Sequence, residues 1–191
     1  RVRFLHQTGF NVLVWDYRGY GKSLPDTSPT AEQFMADARQ IRAWADTVVP
    51  DPDKLILYAN SLGGIPAAEM AVAQAPCALI WEAAFTSMSA ISQSNSTLSM
   101  GETFLSSGHF NNIEKIKGYD GPFFAMVGDQ DIKFPVEHVQ QVVDNAPGPK
   151  DFWILEGINH GIANGGVPEA GLTVYVDRIY GFLEAHASGC L

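Results

Sequence analysis

The sequence predicts an α/β fold, a mostly parallel sheet with helices on both faces, built as a single domain over residues 1–191. Three observations carry this. Five apolar runs, NVLVWD, KLILYA, ALIWEA, GPFFAMVGD and DFWILEG, each close at Gly, Asp, Asn or Glu, and runs apolar on both faces suit strands buried in a parallel sheet. Stretches of helical period lie between them. A chain of 191 residues with 46% hydrophobic content is long enough for one ordinary core and too short for two comfortable domains.

The opening residues, RVRFLHQTGF, read as the end of a helix running into the strand NVLVWD. A helix follows in AEQFMADARQIRAWADTVV, where Phe34, Ala38, Ile41 and Ala45 recur at helical spacing; Thr30 with Gln33 makes a capping box at its start. After KLILYA comes LGGIPAAEMAVAQA, and later PVEHVQQVVDNA and PEAGLTVYVDRIYGFLEAHA supply two more helices. Residues 84–119, dense in Ser and Thr with scattered Met, Phe and Leu, break the alternation and read as a short cap-like insertion. No internal repeat or linker marks a second domain.

The formal charge is −9, from 21 acidic and 12 basic residues without a Lys/Arg cluster. Nucleic acid is therefore not an expected partner. No window approaches the roughly 18 consecutive apolar residues of a membrane span, so a soluble protein is expected. No signal peptide is visible, which favours a cytoplasmic setting, although the segment that would carry one can be absent from a chain that opens on Arg1. Cys77 and Cys190 are read as a buried small apolar residue and a tail residue, neither disulfide framework nor metal cluster. Oligomeric state is left open.

The stretch LYANSLGG places Ser61 where an apolar run stops and a helix begins. A serine on such a strand-turn-helix junction can be a helix cap, or it can present its hydroxyl above the sheet if its neighbours are tiny, as Ala59 and Gly63 are. The pentapeptide from Ala59 to Gly63 resembles the nucleophile elbow of the α/β-hydrolase superfamily, with Ala59 in place of the first glycine. VGDQDIKFP resembles the superfamily's acid loop, which implies Asp131 as the acid with Asp129 as its rival or as a turn-fixing residue. LEGINHGI, closing the last apolar run, places His160 where the superfamily keeps its general base. WDYRGYGKS is similar to the loop after the superfamily's fourth strand, in which Gly19 and Gly21 supply positive φ and Arg18 ties the loop down. EAAFTS resembles the exit from its sixth strand in esterase-like members. The matches run from residue 10 to about 162.

The resemblance implies a serine hydrolase that cleaves a small-molecule ester, thioester or amide through an acyl-enzyme, with Ser61, Asp131 and His160 catalytic and the backbone amide of Leu62 in the oxyanion hole. Phe85, Met88, Phe104, Leu105 and Phe134 are the substrate-lining candidates. No cofactor is needed and no metal-ligand spacing appears. His6, His109, His138 and His186 are read as surface or structural residues, as none has a partner acid at a supporting position. The resemblance also implies that the superfamily's first three strands are absent from this chain, so that NVLVWD and KLILYA are separated in the sheet, pair directly, or flank a gap filled by a partner chain. A noncatalytic interaction domain retaining the fold is the alternative function. A phosphate-binding loop at NSLGG lacks both the Walker lysine and the dinucleotide spacing.

Overall fold

Four of the five apolar runs become strands, and all four lie parallel in one sheet. In the computed structural model, which describes residues 2–24, 29–87, 110–160 and 171–191, the strands are β1 (Ile56–Asn60), β2 (Ala78–Glu82), β3 (Phe123–Gly128) and β4 (Lys150–Leu155). Their spatial order is β1-β2-β3-β4, the order of the chain. The helices are α1 (Val2–Gln7), α2 (Ala31–Val48), α3 (Gly64–Ala73), α4 (Asn112–Lys115), α5 (Val136–Asn145) and α6 (Leu172–His186).

Because strand side chains alternate, the sheet divides the core into two apolar layers. Leu79, Trp81, Phe123 and Val127 face Phe34 of α2, Ile65 of α3 and Val142 of α5. On the opposite face Ile80, Phe124 and Met126 meet Tyr175, Ile179 and Phe182 of α6, with Phe4 and Leu5 of α1 packed alongside. Helices thus cover both faces. This is the architecture of an α/β-hydrolase fold.

The capping box at the start of α2 forms as expected: the Gln33 amide donates to the Thr30 hydroxyl at 3.3 Å, and the Thr30 amide donates to Gln33 Oε1 at 2.9 Å. Thr30→Ala leaves one of these helix-start amides without its acceptor and is expected to lower stability by about 1 kcal/mol, read from the midpoint of urea unfolding.

Two expectations are corrected. NVLVWD is not a strand: residues 10–16 run as irregular chain, Leu13 and Val14 are 49% and 64% exposed, and no ladder joins them to β1. An apolar sequence becomes a strand only when a neighbour takes its amides and carbonyls. Direct pairing with β1 does not occur, and Val12, Val14, Leu57 and Tyr58 are among the residues lining one cavity of about 780 Å³. The second correction concerns Cys77 and Cys190, which form a disulfide across 113 residues. The reason is the path of α6, which packs along the sheet and returns the tail to the start of β2. There Lys54 Nζ also donates to the carbonyls of Gly189 and Leu191 at 2.7 and 3.0 Å. Among the described residues, no helix is long and apolar enough to cross a membrane.

Candidate active site

Ser61, Asp131 and His160 all leave the C-terminal edge of the sheet, after β1, β3 and β4 respectively. A parallel sheet gathers its loops on that edge, which is where α/β folds build sites. Ser61 holds φ at 52°, a left-handed conformation that side chains avoid, and a 3-10 turn over Ser61–Gly63 leads directly into α3. Such a residue costs about 1–2 kcal/mol and persists only where its surroundings fix it. Gly64 is required by proximity: a Cβ there would lie 2.2 Å from Nε1 of the buried Trp81. The hydroxyl of Tyr17, pushed up to about 12 by burial, stands beside Gly63.

The three side chains form a continuous relay. Ser61 Oγ lies 3.0 Å from His160 Nε2, and His160 Nδ1 lies 2.8 Å from Asp131 Oδ2. With Nδ1 facing a carboxylate, the neutral imidazole carries its proton there and offers the Nε2 lone pair to the serine hydroxyl. The other oxygen of Asp131 accepts from the backbone amides of Lys133 and Phe134, both at 2.9 Å, which fixes the buried carboxylate in one orientation. Asp129 does not touch the histidine. Its carboxylate accepts from the Gly157 amide at 2.8 Å and so ties the loop after β4 to the loop after β3.

That tie needs Gly128. A Cβ at this position would stand 2.0 Å from the carbonyl oxygen of Ile158, which accepts from the Gln130 amide at 2.9 Å. Gly128→Ala is expected to push the two loops apart, lowering stability by about 3 kcal/mol and lengthening the Asp131–His160 contact. Thermal unfolding together with the downfield imidazole proton resonance reads both effects.

The substrate-lining candidates fare differently. Phe85 and Phe134 are 0% and 1% exposed, with their rings 6.3 Å apart and Phe134 5.0 Å from the His160 ring. Met88, Phe104 and Leu105 lie outside the described residues, as does His109. His6 is exposed and its ring nitrogen meets the Phe10 carbonyl, His138 is buried in α5, and His186 packs against Phe182. Among the described residues, no group of three or more His, Cys, Asp or Glu could hold a metal ion.

The loop over residues 15–23 is built as the sequence suggests. Gly19 and Gly21 have positive φ, Asp16 Oδ2 accepts from the Lys22 amide at 3.0 Å, and Arg18 makes two bonds to Asp37 of α2. Sequence reasoning missed a group beside the elbow: Glu82, buried at the end of β2, accepts a hydrogen bond from the hydroxyl of Tyr58. A charged residue ending an apolar strand was the available signal.

The sheet order, the helices on both faces and the loop positions define an α/β-hydrolase. The sequence profile of the Serine aminopeptidase, S33 family matches residues 2–107, more than half of the chain, and the chain belongs to that family. It is 30% identical over 158 residues to the uncharacterized protein Rv2307c of Mycobacterium tuberculosis, covering 82% of this chain and 55% of that protein. It is 25% identical over 153 residues to alpha/beta hydrolase domain-containing protein 17B of Homo sapiens, covering 78% of this chain and 50% of that one. The chain therefore spans about half the length of the curated relatives it matches. Among solved structures, the esterase Pf2001 of Pyrococcus furiosus superposes with a TM-score of 0.74 at 19% identity, over 97% of this chain and 73% of that one. The monoacylglycerol lipase of Paleococcus ferrophilus gives 0.70 at 15% identity, over 95% and 87%. At such identities the likeness establishes the fold.

Proposed function

We propose that the complete protein is a serine hydrolase that cleaves a small-molecule ester, thioester or amide through an acyl-enzyme, with an ester as the favoured class. The observation that carries this reading is the Ser61–His160–Asp131 relay at 3.0 and 2.8 Å. Ser61 attacks the carbonyl carbon as His160 Nε2 takes its proton; Asp131 holds the Nδ1 proton and stabilises the imidazolium. The imidazolium then protonates the leaving group. Water, deprotonated by the same nitrogen, hydrolyses the acyl-enzyme and returns the proton to Ser61. The Leu62 amide, at the start of the helical turn and without an intrahelical acceptor, donates to the oxyanion. The named activities of the esterase and lipase neighbours add support for an ester. The disulfide favours an oxidising compartment over the cytoplasm.

The test is labelling with a fluorophosphonate probe, applied to this chain and to a version extended upstream to the length of its relatives, with Ser61→Ala as control. Labelling of the longer protein at Ser61, absent from the control, supports the reading. If neither labels while both are folded, the noncatalytic interaction domain takes its place; the observation in its favour is that, among the described residues, β1 has no strand on its outer edge.

A further inference from the structure

Two non-glycine residues with positive φ, Ser61 at 52° and Ala83 at 42°, stand one past the ends of neighbouring strands. The β1–β2 pairing ends at Asn60 opposite Glu82, so both chains turn at the same level. Paired strain of this kind survives only where links between the two turns fix it. Three such links are present. The Asn60 side-chain amide donates to the Glu82 carbonyl at 3.2 Å, the Phe85 amide donates to the Ser61 carbonyl at 2.8 Å, and the Tyr58 hydroxyl donates to the Glu82 carboxylate.

The second link bears on the chemistry. The Ser61 carbonyl and the Leu62 N–H belong to one trans peptide plane, in which the C=O and N–H bonds point in opposite directions. By holding that carbonyl against the Phe85 amide, the turn leaving β2 aims the Leu62 N–H the other way. The turn is itself anchored: the Ala83 amide donates to the Met126 carbonyl at 2.8 Å, and the buried Asn112 of α4 donates its side-chain amide to the Phe85 carbonyl at 2.8 Å. Burial, then the Glu82 charge and the contact with Tyr175, push the Tyr58 hydroxyl well above its ordinary value, so it remains a donor at any pH the protein meets.

We propose that residues 82–85, cross-linked to β1 through the Tyr58–Glu82 bond, form a positioning bracket that orients the Ser61–Leu62 peptide and thereby the oxyanion donor. Glu82 and Tyr58 act through the backbone and touch no substrate. The role in catalysis rests on the serine-hydrolase reading above; the bracket as a geometric device does not.

The experiment compares Glu82→Leu, Glu82→Gln and Tyr58→Phe in the upstream-extended protein, with ester kinetics and with amide hydrogen exchange at Phe85, all at matched folded fractions. Glu82→Leu removes the acceptor at similar volume, and is expected to lower kcat about tenfold with KM within about twofold, because an oxyanion donor acts in the transition state. Phe85 exchange should quicken by at least about tenfold, as expected for a loosened hydrogen bond. Glu82→Gln keeps an acceptor for Tyr58 and should restore both readouts. Tyr58→Phe keeps the ring and removes the donor, so it repeats the loss and decides the matter if Glu82→Leu does not fold. Unchanged kcat and unchanged Phe85 exchange in folded Glu82→Leu or Tyr58→Phe overturn the proposal. If the wild type neither turns over esters nor labels at Ser61, the hydrolase reading fails, and Phe85 exchange alone still decides whether the bracket exists.

Discussion

Ser61→Ala in the complete protein is expected, on the serine-hydrolase reading proposed above, to lower ester turnover by about 10⁵-fold while leaving the fold intact, because on that reading the hydroxyl is the atom that bonds to the substrate. His160→Ala should cost about as much, since a neutral serine hydroxyl is a poor nucleophile without a base 3.0 Å away. The two losses are not additive: once either group is gone the other has no step to perform, so the double variant should match the singles. Asp131→Asn is expected to cost about 10⁴-fold. The carboxamide would have to present its oxygen to the Lys133 and Phe134 amides, which turns its NH2 toward Nδ1 and forces the imidazole into the tautomer that cannot accept from Ser61. Asp129→Asn is the informative contrast. Its carboxylate meets the Gly157 amide, and asparagine keeps an acceptor there, so turnover should fall by no more than about threefold. Steady-state kinetics on a short-chain ester settle the order, and an Asp129→Asn loss equal to that of Asp131→Asn would reverse the assignment.

Reducing the Cys77–Cys190 disulfide is expected to lower the unfolding free energy by about 4 kcal/mol. Its 113-residue separation places it among long closed loops, for which the chain-entropy account gives about 4.7 kcal/mol. The native state should change little, because Lys54 still holds the carbonyls of Gly189 and Leu191 and the tail stays docked. The effect therefore enters through the unfolded chain, which gains the freedom the bond denied it. Urea unfolding with and without reductant measures this, and Cys77→Ser/Cys190→Ser should reproduce the reduced value. Two free thiols in the unreduced protein, counted by mass after alkylation, would remove the premise.

Much of this molecule is legible in its sequence because local pattern and global fold agree. KLILYA, ALIWEA, GPFFAMVGD and DFWILEG are apolar on both faces and became the four parallel strands; Thr30 and Gln33 fixed the start of α2. NVLVWD carries the same pattern and failed, because a strand is a relation between two segments and, among the described residues, no strand pairs with this one. Ser61, Asp131 and His160, singled out by motif order, follow three different strands and come within hydrogen-bonding distance of one another. The burial of Phe85 and Phe134 was not legible in the same way, since aromatic chemistry that suits an acyl pocket equally suits a core. The Cys77–Cys190 contact depends on where α6 delivers the tail, and Glu82 meets Tyr58 through strand register; neither is a local property of the chain.

The same disulfide sets the covalent topology of the site. Ser61 precedes Cys77, whereas Asp131 and His160 fall between Cys77 and Cys190. A single protease cut anywhere inside that ring leaves two peptides joined through sulfur, so a nicked molecule still runs as one species until reductant is added. Ser61 and His160 can then belong to different peptides and still be held in one body, bound by the sheet and by a bond that no cleavage between the cysteines can sever.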